Sequence, residues 1–379
     1  MLPIAFYAPL KAPDHPNPSG DRALARLFCQ ALTLAGFEVH LASRLRSRDG
    51  KGDEGYQRRL KSVAEKLADR LVRRYQRLPA QLRPRLWFTY HHYHKAPDWI
   101  GPRVAQALGI PYVIAEGSWS ERKAHGPWHF NWSHSLDALR AAQALFCLNP
   151  KDQQGLSTVL GEQAPLVALP PFMDLASLPA AEALPTKAKL AAQQGITSER
   201  PWLISVAMMR PGDKLASFTL LGKALAQLTA PFELIVIGDG QARPEVEATL
   251  AGLPVHYLGQ QPPEQVYTWL AAADLFVWPA VNEAFGMALL EAQAMGTAVL
   301  AGEEGGVANV VATPASLLTP RRDADALARQ LETLLLADDW AAQLAQRGQH
   351  AREQMAKRHS LTAASQQLAN TLRPLLETH

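Results

Sequence analysis

Short apolar runs alternate with longer stretches of helical periodicity along most of the chain. Runs at residues 3–9, 37–41, 86–90, 111–115, 144–148, 165–170, 202–207, 232–237, 255–259, 274–279 and 298–301 read as strands. They are apolar almost throughout, the pattern of strands covered on both faces. Helical patterns fall at 21–34, 102–108, 134–142, 263–273, 324–336 and 339–375. Strand and helix in regular alternation predict an α/β chain with parallel sheets. Residues 176–200, rich in Pro, Ala and Lys, read as a linker with a short helix.

Candidate chemistry concentrates in residues 282–306, Asn-Glu-Ala-Phe-Gly-Met-Ala-Leu-Leu-Glu-Ala-Gln-Ala-Met-Gly-Thr-Ala-Val-Leu-Ala-Gly-Glu-Glu-Gly-Gly. The stretch leaves the strand at 274–279, opens a helix that is apolar on most sides, closes it at Gly296 and enters the strand at 298–301. Ligands of parallel sheets sit at the carboxyl ends of strands, where Glu283 falls. Glu291 is a carboxylate inside an otherwise apolar helix, a placement that needs a reason. Taken as one helical span, Glu283 to Glu291 covers roughly 12 Å at ~1.5 Å per residue. Glycosidase carboxylate pairs work across about 5–9.5 Å. The spacing therefore suits holding two ends of one long ligand better than pairing an acid with a base. Amides near Phe285, Gly286 and Met287 would point out of a helix N-terminus toward an anion such as phosphate. The plain alternative is a solvated loop acid followed by a surface helix residue. Gly238-Asp239-Gly240 lacks the third glycine of a dinucleotide fingerprint, with Arg243 in its place, which argues against a dehydrogenase.

Glu283-Ala-Phe-Gly-Met-Ala-Leu-Leu-Glu291, the Ala-Gln-Ala-Met-Gly turn after it and Gly305-Gly306 resemble the E-x7-E signature of retaining GT-B glycosyltransferases of family 4, the glycosyl transferases group 1. The resemblance is strong over 202–311 and looser before that. It implies two Rossmann-like domains with parallel sheets facing a cleft. Residues 1–180 would form the acceptor-side domain, with a closing helix at about 356–379 packing back on it. Residues 181–200 would link it to a nucleotide-sugar-binding domain at 201–355.

The same resemblance implies a retaining transfer from a nucleotide-sugar donor to a glycan or lipid-linked acceptor, in cell-surface polysaccharide or glycoconjugate synthesis. Glu291 would hold ribose hydroxyls, and Glu283 with the amides of Phe285, Gly286 and Met287 the donor sugar. Arg210 and Lys214 match an arginine and lysine that relatives present to the donor diphosphate. Two cations there can neutralise the leaving group without a divalent ion, so neither metal nor cofactor is expected. A glycine loop in relatives faces the donor and acceptor at the position of Gly20; a plain βα turn accounts for Gly20 nearly as well, with Asp21 as helix cap. Many relatives carry a histidine that reaches the donor sugar where this chain reads Ala115-Glu116-Gly117-Ser118, so Glu116 stands in its place. Asn309 replaces a glutamate often found after the glycine pair. A GT-B epimerase or phosphorylase, or a silent sugar-nucleotide binder, are the other classes such a chain admits.

Composition sets outer limits. The 379 residues suffice for two α/β domains, and at 47% hydrophobic they can bury large cores. No apolar run approaches the ~20 residues of a membrane span, and no signal peptide is legible. Cys29 and Cys147 have no metal-like spacing and fit reduced core residues of a cytoplasmic protein. The net charge of +3 hides an uneven distribution. Residues 44–85 hold fourteen Lys or Arg against five acids. Tyr56, Leu60, Val63, Leu67, Leu71, Tyr75 and Leu78 recur there at helical spacing, one apolar stripe on a basic helix. Residues 56–85 would then dock on an anionic membrane surface or a lipid-phosphate acceptor, placing the protein peripherally on the inner face. The alternative is a helix packed on its own domain with a solvated basic face; nucleic acid is not expected. His91, His92 and His94 have no carboxylate or cysteine close in sequence to complete a metal site. The aromatic loop 124–132 suits stacking on sugar rings, and equally a structural lid.

Overall fold

The computed structural model describes residues 1–17, 19–180, 183–311 and 318–377. They form two compact units, Met1–Pro171 with Leu361–His379, and Phe172–Ser360.

The first unit runs β1 (Leu2–Tyr7), α1 (Gly20–Leu34), β2 (Phe37–Ser43), α2 (Glu54–Arg77), β3 (Trp87–His92), α3 (Gly101–Leu108), β4 (Tyr112–Gly117), α4 (His129–Ala141), β5 (Ala144–Cys147), α5 (Pro150–Leu160) and β6 (Leu166–Ala168). The second runs α6 (Lys187–Gln194), β7 (Trp202–Val206), α7 (Asp213–Leu225), β8 (Glu233–Ile237), α8 (Arg243–Thr249), β9 (Val255–Gly259), α9 (Pro263–Ala272), β10 (Leu275–Trp278), α10 (Met287–Ala294), β11 (Ala298–Gly302), α11 (Val307–Val310), β12 (Leu318–Thr319), α12 (Ala324–Leu335) and α13 (Trp340–Arg358). The final helix, α14 (Leu361–Glu377), belongs to the first unit, where Arg373 donates to the Ala35 carbonyl at the end of α1 at 3.2 Å.

Each unit holds a six-stranded sheet, ordered β2-β1-β3-β4-β5-β6 in the first and β12-β11-β10-β7-β8-β9 in the second. Every strand pair is parallel. Two Rossmann-like α/β units are thus present, as the alternating pattern predicts. The central strands are buried along most of their length because helices cover both faces, which is why they carry no polar alternation.

The structure departs from the sequence reading in several places. The first unit ends at Pro171 rather than near 180, and the stretch expected as a linker belongs to the second unit. There Leu190, Ala191 and Ile196 join the core of the second sheet, so apolar burial fixes this segment. One long closing helix was expected; instead it breaks between α13 and α14. His359 and Ser360 turn aside to pair with Met173, whose amide donates to the His359 carbonyl at 2.9 Å. Helix α5 has no counterpart in the expected elements.

Helix α2 differs in the residues it buries. Gln57, Leu60, Ala64, Ala68, Leu71 and Tyr75 face the core, while Tyr56 and Val63 of the expected stripe are 39% and 51% exposed. Two alanines allow close approach to the domain, and Gln57 survives burial by donating to Asp49 and the Pro127 carbonyl, both at 2.8 Å. The opposite face carries Arg59, Lys66, Arg70, Arg73, Arg74 and Arg77, all exposed. None of these six forms an ion pair among the described residues.

Candidate functional site

In the second sheet the strand order reverses beside β7: β8 and β9 lie on one side, β10, β11 and β12 on the other. The crevice outside the carboxyl ends of β7 and β10 is therefore the place this topology offers a ligand. Loop 207–212 leaves β7 for α7, and loop 279–286 leaves β10 for α10.

Both loops are held from beneath by backbone contacts that only glycine permits. A Cβ at Gly238 would lie 1.9 Å from the Ala207 carbonyl oxygen, and one at Gly305 would lie 1.9 Å from that of Glu283. The two glycines that resembled part of a dinucleotide fingerprint thus brace the loop bearing Arg210. On the other loop, Ala280 and Asn282 take left-handed φ angles of 58° and 51°. Ser217 Oγ accepts from the Val281 amide and Asn282 donates to Asp213 Oδ2, both at 3.0 Å. Strained non-glycine backbone so firmly held is characteristic of functional loops.

Two expected residues meet here. Lys214, one residue into α7, donates from Nζ to Glu283 Oε2. Trp278 Nε1 donates to the same oxygen at 3.3 Å, and the Lys214 ammonium sits 5.4 Å from the Trp278 ring centroid. Trp278 was not among the sequence candidates; its place as the last residue of β10 was the signal. Arg210 is exposed, with no ion pair among the described residues.

Glu283 lies in the loop, because α10 begins only at Met287 with Gly286 (φ 74°) as its cap. The expected helical span from Glu283 to Glu291 therefore does not apply. The amides of Phe285, Gly286, Met287 and Ala288 donate to no group among the described residues, so the helix N-terminus keeps its free donors. Glu291 is half-buried on α10 without a hydrogen-bond or ion-pair partner among the described residues. Burial pushes its carboxyl up to about 7. Tyr267 of α9 is near enough to feel that charge: burial, then Glu291, raises its hydroxyl to about 12.

In the first unit the order reverses between β1 and β3. Gly20 opens α1, but Ser19, not Asp21, caps the helix, accepting from the Arg22 amide at 3.2 Å. A Cβ at Gly20 would meet nothing within 4 Å, so the fold itself does not require glycine there. Asp21 is freed for another contact. Its Oδ1 lies 3.2 Å from His91 Nδ1, which is also 4.0 Å from Glu116 Oε2. Both His91 and Glu116 hold left-handed φ angles, 64° and 57°. Burial raises the Glu116 carboxyl, and His91 opposes that rise. The His91 imidazole ends up raised, as Glu116 and Asp21 outweigh the loss of solvation. Asp21 is lowered, chiefly by His91.

The histidine run thus separates into different roles. His92 is fully buried, its Nδ1 accepting from the Asp98 amide at 2.9 Å and its Nε2 3.0 Å from the Ser135 carbonyl. His94 is pushed down to about 4 by burial and by Lys123 and Lys95. Among the described residues no group of three or more His, Cys, Asp or Glu is placed to hold a metal ion. Around the aromatic loop, Trp119 stacks on Trp132 at 4.5 Å and His129 on Trp132 at 5.9 Å.

Two parallel sheets in two Rossmann-like units, with cations and free helix amides at the switch point of the second, give the chain the GT-B architecture. Residues 200–337, within the second unit, match the family model described as Glycosyl transferases group 1. A D-inositol 3-phosphate glycosyltransferase of Corynebacterium urealyticum is 36% identical over 144 residues, 36% of this chain and 33% of that protein. A 2-deoxystreptamine glucosyltransferase of Streptomyces kanamyceticus is 28% identical over 262 residues, 65% of this chain and 66% of that protein. The chain thus spans about a third of the first of these relatives. Among solved structures, a sucrose-phosphate synthase from Thermosynechococcus elongatus superposes with a TM-score of 0.72 at 20% identity, covering 100% of both chains. HepE of Anabaena in complex with UDP does so at 0.72 and 17% identity, covering 99% of this chain and 100% of that one.

Proposed function

We propose that the protein is a retaining glycosyltransferase that moves a sugar from a nucleotide-sugar donor to a hydroxyl of a glycan, lipid-linked or other polyol acceptor. The observation that carries this reading is the meeting of Lys214, Glu283 and the free amides of Phe285 to Ala288 at the carboxyl ends of β7 and β10. Free amides and a helix dipole bind phosphate; Lys214 and Arg210 supply charge for a diphosphate. Unpaired Glu291 accepts hydrogen bonds from a ribose diol, and Glu283 from the donor sugar. In the transfer, the bond from the anomeric carbon to the diphosphate breaks as the acceptor oxygen bonds the same face. The acceptor proton passes to the departing phosphate, so no protein nucleophile is needed. Gly20 and Glu116 are the first unit's contributions to ligand binding. Relatives named for inositol phosphate and 2-deoxystreptamine, and a neighbour in complex with UDP, support a nucleotide donor and a hydroxyl-bearing acceptor.

A panel of nucleotide sugars tests this, reading nucleotide release with and without acceptors and the anomeric configuration of the product. Acceptor-dependent release with retention, undiminished by a chelator, is the expected result. Release of nucleotide with an altered free sugar and no acceptor would point to an epimerase instead.

The protein acts at an anionic membrane surface through the arginine-rich face of α2. Six unpaired cations on one exposed face add about 1 kcal/mol each near such a surface. The apolar residues pack inward, so the attachment is electrostatic and shallow. Changing Arg59, Arg70, Arg73 and Arg77 to glutamine should release the protein from anionic liposomes in sedimentation, and added salt should do the same to the unmodified chain. Retention of the variant at low salt would refute this role.

A further inference from the structure

The first unit contains a constellation that the phosphate and ribose contacts leave unused. It sits at the carboxyl edge of the sheet, where the order turns between β1 and β3. Asp21 comes from the first turn of α1, His91 from β3, Glu116 from β4 and Asp152 from the first turn of α5. Neighbouring His91 and Glu116 both hold left-handed backbone, which for non-glycine residues persists only where the surroundings enforce it. The enforced geometry brings His91 Nδ1 to 3.2 Å from Asp21 Oδ1 and 4.0 Å from Glu116 Oε2. Among the described residues, Glu116 Oε2 is buried with no hydrogen-bond donor. A buried carboxylate oxygen without a donor is costly, and a ligand hydroxyl is a donor.

We propose that Asp21, His91 and Glu116 form a recognition site for the hydroxyls of a neutral sugar or cyclitol ring, with Glu116 selecting against rings that carry an anionic group. The proposal rests on the glycosyl-transfer reading and assigns two residues, His91 and Asp21, that the reading does not use. Charge decides the class of ring. One imidazole is faced by three carboxylates, those of Asp21, Glu116 and Asp152, while Lys11 and Lys151 act only on Asp21 and Asp152. A phosphate or uronate carboxylate brought here would meet no surplus cation. Neutral hydroxyls, each both donor and acceptor, satisfy Glu116 and the imidazole at once.

The ring belongs either to the donor or to the acceptor, and the full-length protein distinguishes them. For a donor ring, calorimetry should show UDP-glucose binding more tightly than UDP and than UDP-glucuronate. Glu116→Gln and His91→Gln should each cut the preference for UDP-glucose over UDP about tenfold while leaving UDP affinity unchanged. For an acceptor ring, saturation-transfer NMR should show myo-inositol binding in preference to inositol 1-phosphate, with the signal lost in both variants. Asp21→Asn, which keeps the α1 cap at Ser19, should act in the same direction if either variant fails to fold. Neither preference moving in any folded variant overturns the proposal. Failure of the unmodified chain to bind any nucleoside diphosphate removes the glycosyl-transfer reading instead, and the inositol measurement still judges the site on its own.

Discussion

Replacing Arg210 and Lys214 together by alanine is expected to lower kcat by about 10²- to 10⁴-fold, with a much smaller change in donor KM. Charge on the diphosphate grows as the glycosidic bond breaks, so cations aimed at it act mainly on the transition state. Loss of one preorganised donor of this kind typically costs about 10²–10³ in rate. The two single variants should differ in a way that separates catalysis from folding. Arg210 is exposed and has no ion pair among the described residues, so Arg210→Ala should leave the melting temperature unchanged. Lys214 is the partner of a largely buried Glu283, so Lys214→Ala should lower it as well as the rate. Steady-state kinetics with a calorimetric melt of each variant checks this. An effect confined to KM would remove the leaving-group role.

Glu291→Gln should move stability and donor binding in opposite directions. Burial raises the Glu291 carboxyl from 4.5 to about 7. Between those values the folded protein keeps a proton that the unfolded chain has lost, so stability falls as pH rises through the window. Above pH 7 the ionised, unpaired carboxylate costs the free protein on the order of 1–3 kcal/mol. Glutamine carries no charge, so at pH 8 the variant should melt higher than the parent, and at pH 4 the difference should vanish. Binding asks for the opposite. If ionised Glu291 accepts the ribose hydroxyls, as proposed, donor affinity should weaken as pH drops below about 7, and Glu291→Gln should lose roughly 1–3 kcal/mol of it. Melting curves and donor calorimetry across pH 5–8 read both effects. A variant that binds donor as tightly as the parent at pH 8 would sink the ribose assignment.

The two signs belong together. A carboxylate kept in an apolar helix at a cost to stability fits the ligand-binding role proposed for Glu291.

Much of this was legible in the chain itself. Strand runs without polar alternation, such as 202–207 and 274–279, can only be covered on both faces, and that local fact led directly to parallel α/β sheets. The spacing from Glu283 to Glu291 was visible because both lie within one loop–helix segment, and the family resemblance pointed to Arg210 and Lys214 in another. Boundaries were less legible. Whether 181–200 is a linker depends on which core accepts Leu190 and Ile196, and the break between α13 and α14 depends on Met173 arriving from far away in the sequence. The face that α2 buries was misjudged because Ala64 and Ala68 count for little in hydrophobicity and for much in close packing.

What the sequence by itself determined, then, is the alternation of elements, which follows from periodicity, and the candidate residues of single loops, which short-range spacing and the family resemblance marked. Only the tertiary structure decided the groups assembled from distant elements. Lys214 on Glu283, the glycine braces at Gly238 and Gly305, and the meeting of Asp21 with His91 and Glu116 each depend on strand order. In a parallel sheet, strands far apart in the sequence become neighbours through crossovers, and local patterning carries no record of which carboxyl ends will meet.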